Sequence, residues 1–243
     1  MYYNLRELYD LLRSKKFLSC GTRGIVLIND DNTLIKVPRE LSSYINGFDD
    51  FKNSFMALKR QSSELKKYEE NQKKFIYNGE YDFIEFAKKM IYINDLYIGV
   101  LIRWYKNYNN LLRYKYKDEK ELLGLYKKII EYNKILIDSG IYHMDLLPKN
   151  ILYNGSNARI IDIDGPAINY NTFLNTKEED GSYYTIFVGL YSILNELYKN
   201  DEDFIDRKEE YIELTSCDRY KRYNYDNANE LISVIENRGI FTR

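Results

Sequence analysis

Between Ser139 and Gly165 the chain reads SGIYHMDLLPKNILYNGSNARIIDIDG, and no other stretch limits the possible folds so strongly. Ser139-Gly140 is a stop signal for a preceding helix, because glycine alone accepts the left-handed backbone that ends one without strain. Ile151 to Tyr153 and Ala158 to Ile163 are apolar runs flanking Asn154-Gly155-Ser156-Asn157, whose turn chemistry predicts a short hairpin. The loop before it contains Pro148 and carries Asp145 and Asn150, while Asp162 emerges at the hairpin's far end. A hairpin brings its two ends together, so Asn150 and Asp162 are expected to be neighbours, with Asp145 facing the same space. Two oxygen ligands beside a carboxylate base suit Mg²⁺ and a phosphate, since Mg²⁺ takes oxygen ligands and keeps phosphate oxygens among them. Capping a turn is the other use that Asn and Asp commonly have.

Upstream, Leu5, Leu8, Tyr9 and Leu12 recur at helical spacing and predict a short amphipathic helix that ends near Lys15 and Lys16. Ile25 to Ile28 and Thr33 to Val37 are rich in β-branched residues around Asn29-Asp30-Asp31-Asn32, a hairpin signal. Cys20-Gly21-Thr22-Arg23-Gly24 joins the first of these strands to Phe17 to Ser19. From Phe48 to Phe75, the residues Phe51, Phe55, Leu58, Leu65 and Tyr68 share one side of a helical wheel, predicting one long helix or two, with Ser62 or Ser63 as an internal cap. Phe83 to Ile93 and Leu96 to Tyr105 then flank Asn94-Asp95 as a further hairpin. Five strands and a helical insertion are complete by Trp104. Beyond it, Leu122, Leu123, Tyr126, Ile129, Ile130, Asn133, Leu136 and Ile137 form a helical stripe, and Ile186 to Tyr198 predicts another apolar helix.

The acid-bearing stretch resembles the catalytic and metal-binding loops of the protein-kinase-like superfamily. His143-Met144-Asp145 resembles the His-Arg-Asp triplet, Asn150 the loop asparagine, and Asp162-Ile163-Asp164 the Asp-Phe-Gly triplet. Gly21-Thr22-Arg23-Gly24-Ile25-Val26 resembles the end of the glycine-rich loop, with Ser19 at the first glycine's position, and Ile35-Lys36-Val37 resembles the strand of the phosphate-binding lysine. The resemblance spans about residues 17 to 198. It implies an α+β bilobal fold: residues 1–103 form an N-lobe with a five-stranded antiparallel sheet, and residues 104–243 form a mostly helical, reduced C-lobe.

It further implies that Asp145 orients the attacking hydroxyl and that Lys36 positions ATP phosphates. Asn150 and Asp162 would hold Mg²⁺, and His143 would buttress the loop. Gly21, Gly24 and Val26 would cover the nucleotide, and main-chain groups near Arg103 and Tyr105 would bind adenine. Trp104 either stacks on the base or packs. A glutamate is expected to hold Lys36, and on the wheel Glu69 faces inward whereas Glu64 points away.

Departures from the protein-kinase pattern bear on the acceptor. Met144 replaces the arginine that binds an activation-loop phosphate, and Leu147 stands where protein kinases carry a lysine toward the transferred phosphate. Asp164 replaces the last glycine of the triplet, and no Ala-Pro-Glu follows. The segment after Asp162 offers Thr172, Thr176, Ser182, Tyr183 and Tyr184 as phosphorylation sites. Three readings stand: an ATP-dependent kinase acting on a protein hydroxyl, a small-molecule kinase resembling aminoglycoside or choline kinases, and a pseudokinase that binds nucleotide without transfer.

Formal net charge is -1, so no basic surplus favours nucleic acid or anionic lipid as a partner. The longest apolar run, Leu96 to Ile102, is far shorter than the roughly 20 residues that span a bilayer. The amino terminus lacks the apolar core of a signal peptide, and Cys20 and Cys217 match no metal or redox spacing. Cytoplasm is the expected compartment. Oligomeric state has no signal.

Overall fold

Asn4 starts helix α1 (Leu5–Ser14) with a reciprocal cap: its side chain accepts from Glu7 N, and the Glu7 carboxylate accepts from Asn4 N. In this computed structural model the described residues are 1–21, 24–77, 81–143, 145–162, 178–197, 209 and 223–238. They divide into two units, Met1–Lys106 and Asn107–Arg243.

The first unit is a six-stranded sheet with helices. Its strands are β1 (Tyr2–Tyr3), β2 (Lys16–Cys20), β3 (Gly24–Ile28), β4 (Thr33–Pro38), β5 (Lys89–Ile93) and β6 (Leu96–Arg103), in the order β1-β5-β6-β4-β3-β2. Five of them pair antiparallel as expected. The sixth, β1, runs parallel to β5 and was not anticipated, because two residues are too few to show an alternating pattern. Asn94 and Asp95, with φ of 45° and 65°, make the tight turn between β5 and β6. A 3₁₀ segment (Arg39–Ile45) follows β4, then α2 (Phe48–Arg60) and α3 (Ser62–Tyr77). The helical stripe is thus two helices, broken at Gln61, whose carbonyl accepts from the amides of Glu64 and Leu65 in the first turn of α3. Leu8, Leu12, Phe51, Phe55, Leu58 and Leu65 bury their side chains with Ile25, Leu27, Ile35 and Ile91 in one core. Burying such side chains contributes roughly 1.5–3 kcal/mol each before the entropy of ordering is subtracted.

The second unit contains β7 (Asn109–Asn110), α4 (Glu119–Asp138), a 3₁₀ turn (Pro148–Asn150), β8 (Ile151–Tyr153), β9 (Ala158–Ile160), α5 (Glu178–Leu197) and α6 (Tyr225–Arg238). Strands β7, β8 and β9 form a small antiparallel sheet. Helix α4 packs against α5 and α6, burying Leu122, Tyr126, Ile129 and Ile130 against this unit's core. Helix α5 begins at Glu178, ahead of the apolar run that predicts it.

Candidate active site

The loop of the second unit begins with the way α4 ends. Gly140 is left-handed at φ 73°, its N–H donates to Ile137 O, and Ile141 N donates to Leu136 O. These two bonds close a Schellman turn, and Ile141 is buried beyond it, which fixes the direction in which the chain leaves the helix.

Three residues later His143 is 4% exposed. Its Nε2 lies 2.9 Å from Ile161 O, and Nδ1 lies 3.3 Å from the amide of Asp145. The only tautomer that serves both has the proton on Nε2, donating to Ile161 while Nδ1 accepts. Burial pushes the imidazole pKa down, and the Asp162 and Asp145 charges oppose the shift without reversing it. A neutral, doubly bonded ring is a buttress, as the resemblance implies.

Asp145 is held from two sides. The Asn150 amide nitrogen donates to Asp145 O at 2.8 Å and to Asp145 Oδ2 at 2.9 Å, and Lys149 Nζ lies 2.9 Å from the same Oδ2. Both Asn150 amide hydrogens are therefore committed, and Oδ1 is the oxygen left to accept from elsewhere. Asn150 O takes the amide of Ile161 at 2.9 Å, continuing the β8–β9 ladder by one step. That bond brings Asp162 beside Asn150. Asp162 is exposed and left-handed, at φ 66°, a conformation uncommon outside glycine and most tolerated by Asn and Asp.

Helix α5 pins this loop through polar side chains that sequence reasoning did not place against it. Leu146 N donates to Thr185 Oγ1 at 3.1 Å, and Thr185 donates to Ser182 O at 2.9 Å. Ser182 Oγ lies 2.6 Å from Asn133 Oδ1 and 3.1 Å from His143 O, so one hydroxyl ties α4, α5 and the loop. The available signal was the occurrence of Asn133, Ser182 and Thr185 inside apolar helices, where a polar residue needs a partner. Ser182 and Tyr183 are buried, which removes them as accessible phosphorylation sites. Thr172, Thr176, Ile163 and Asp164 lie outside the described residues. Gly189 faces the loop from the same helix: a Cβ there would sit 3.0 Å from Pro148 Cδ and 3.2 Å from the Tyr126 hydroxyl.

In the first unit, Lys36 lies on β4, paired with Val26 of β3 and Val100 of β6. Gly21 N donates to Gly24 O at 2.8 Å across Thr22 and Arg23, which are outside the described residues. A Cβ on Gly24 would meet Val37 O at 3.1 Å and Lys36 Cε at 3.7 Å, so this glycine keeps the flank of Lys36 clear. On the opposite flank a Cβ on Gly99 would fall 2.3 Å from Lys36 O, which leaves no room for a side chain.

Glu69 faces inward with its side chain 16% exposed, whereas Glu64 is exposed. Its Oε1 accepts from Tyr92 at 3.0 Å and meets Lys73 Nζ at 2.6 Å. Burial first, and Glu69 second, push the Tyr92 phenol up to about 12. Arg103 pairs with Thr33 in the ladder, and its guanidinium lies 5.9 Å from the Tyr105 ring. Trp104 packs against the core, donates its amide to Asn32 O, and carries Lys106 over its ring at 4.6 Å.

No family model matches the chain. A 65-residue stretch is 40% identical to a protein of Invertebrate iridescent virus 3 that is provisionally named serine/threonine-protein kinase 040L. The match takes in 24% of this chain and 19% of that protein, so the chain corresponds to about a fifth of its length. Among solved structures, the kinase domain of M. tuberculosis PknI superposes with a TM-score of 0.56 at 12% identity, over 92% of this chain and 94% of that one. The chain has the α+β fold of the protein-kinase-like superfamily.

Proposed function

We propose that this chain is an ATP-dependent phosphotransferase that moves the γ-phosphoryl group to a hydroxyl on a protein, with Asp145 as the base. The observation that carries the proposal is the fixing of Asp145. Its Oδ2 is held by Asn150 and Lys149, on a loop tied down through His143, Thr185 and Ser182. Oδ1 is left to take the acceptor's proton as the hydroxyl oxygen bonds to the γ-phosphorus and the bond to the β-phosphate oxygen breaks, releasing ADP.

Asn150 Oδ1 and the Asp162 carboxylate are hard oxygen donors, which fits Mg²⁺. Mg²⁺ bound there would neutralise charge on the phosphates. In the first unit, Lys36 would serve the phosphates, Gly21, Gly24 and Val26 would cover them, and main-chain groups near Arg103 and Tyr105 would bind adenine; Glu69, the glutamate expected to hold Lys36, meets Tyr92 and Lys73. The fold and the viral relative's provisional name favour a protein acceptor over a small molecule. Among the described residues no helix is long and apolar enough to cross a membrane. The exposed Cys20 thiol is free, as a reducing compartment such as cytoplasm would keep it.

The test is incubation with γ-labelled ATP and Mg²⁺, using casein, an aminoglycoside panel and choline as acceptors. Label in casein, lost on chelation with EDTA, is the expected result. Label in a small molecule instead would transfer the reading to that class, and binding of ATP without transfer to any acceptor would make the chain a pseudokinase.

A further inference from the structure

Leu147 leaves the loop without the lysine that protein kinases place two residues after the aspartate, yet an ammonium still reaches Asp145. The 3₁₀ turn Pro148–Asn150 begins with a proline, whose fixed φ starts such a turn readily. With about three residues per turn, the segment folds Lys149 back over the residues just before it. Its Nζ comes to 2.9 Å from Asp145 Oδ2, the oxygen that also accepts from Asn150. The lysine side chain is 56% exposed, so the ammonium keeps an open side, while the Asp145 side chain is 23% exposed.

We infer that Lys149 is the positioning cation of this site and takes over from the absent lysine at position 147. The inference rests on the reading of Asp145 as the base. An ammonium on Oδ2 holds the carboxylate in one rotamer, with Oδ1 turned to the acceptor. Its remaining N–H groups can be offered to a phosphoryl oxygen that gains charge during transfer, where a fixed cation acts more strongly than in the ground state. A half-exposed ion pair contributes little to folding, so loss of Lys149 should be felt in turnover and hardly in stability. The departure at Leu147 then ceases to argue for a small-molecule acceptor, because the charge is present two residues later.

The experiment compares wild type, Lys149→Ala, Lys149→Arg and the double variant Lys149→Ala/Leu147→Lys, in transfer to casein and in thermal unfolding. Lys149→Ala should lower kcat by roughly 10- to 100-fold, with KM for ATP and the melting temperature unchanged. Lys149→Arg or the double variant should recover most of the loss, which a merely structural ion pair would not require. Wild-type kcat in Lys149→Ala, or a loss that neither cationic variant recovers, would overturn the inference while leaving Asp145 as the base. Absence of transfer in wild type and all variants would instead remove the phosphotransferase reading, and the role of Lys149 with it.

Discussion

At the scale of single residues, two predictions separate chemistry from scaffolding. Asp145→Asn keeps the shape of the side chain and can still meet Asn150, so nucleotide affinity should hold while kcat falls by roughly a hundredfold or more. Isothermal calorimetry with Mg²⁺-ATP, beside a turnover assay, checks both halves. His143 behaves differently, because its pKa is lowered by burial in the folded chain. Below about pH 6.5 the unfolded imidazole takes a proton that the folded one refuses, so the unfolded state binds more protons and stability falls as pH drops. Urea titrations between pH 7 and 5 should show wild type losing stability more steeply than His143→Gln, by up to about 1.4 kcal/mol per pH unit. Parallel pH curves would mean that His143 is not held neutral.

Among the secondary-structure elements, two glycines held for different reasons should respond in different ways. Gly140 needs its left-handed φ but has open space around it, so Gly140→Ala should cost only about 1–2 kcal/mol of backbone strain. A Cβ on Gly99 would lie 2.3 Å from the carbonyl oxygen of Lys36, so Gly99→Ala has to push β6 off β4, an overpacking expected to cost about 3 kcal/mol. Denaturant midpoints of the two variants would rank them, and equal losses would contradict the close approach of β6 to β4. The same elements show what could be read from sequence alone. Helices α1 and α4 were legible because Leu8, Tyr9 and Leu12, or Leu122, Tyr126, Ile129 and Ile130, bury one apolar stripe. Strands β3 and β4 were legible from β-branched runs beside Asn/Asp turns. The start of α5 was not, because Ser182 and Thr185 interrupt the apolar pattern there, and they do so because the loop needs their hydroxyls. Helix α6 carries a readable stripe, Ala228, Leu231, Ile232 and Ile235, beyond the last element read. The proposed site was legible in the types and spacing of Asp145, Asn150 and Asp162, of which the structure brings Asn150 against Asp145. It was not legible at Lys149, whose reach depends on the 3₁₀ turn.

For the whole molecule, regulation is the property most open to test. Met144 stands in place of the arginine that would pair with a phosphate on the segment after Asp162, and a thioether cannot pair with an anion. Activity should therefore be the same in phosphatase-treated and untreated protein, measured as initial rates on one acceptor. Loss on treatment, regained by autophosphorylation, would show that another cation serves. His143 also bonds to the chain at two distant points of the sequence, through its ring to Ile161 O and through its carbonyl to Ser182 Oγ. One residue thus acts as a clasp on a drawstring. Its two halves are separable: a side-chain change at His143 opens the bond to Ile161 O, whereas the carbonyl that meets Ser182 belongs to the backbone and survives it. Substitution at position 143 should therefore loosen the strand end at Ile161 while helix α5 stays tied to the loop beneath Asp145.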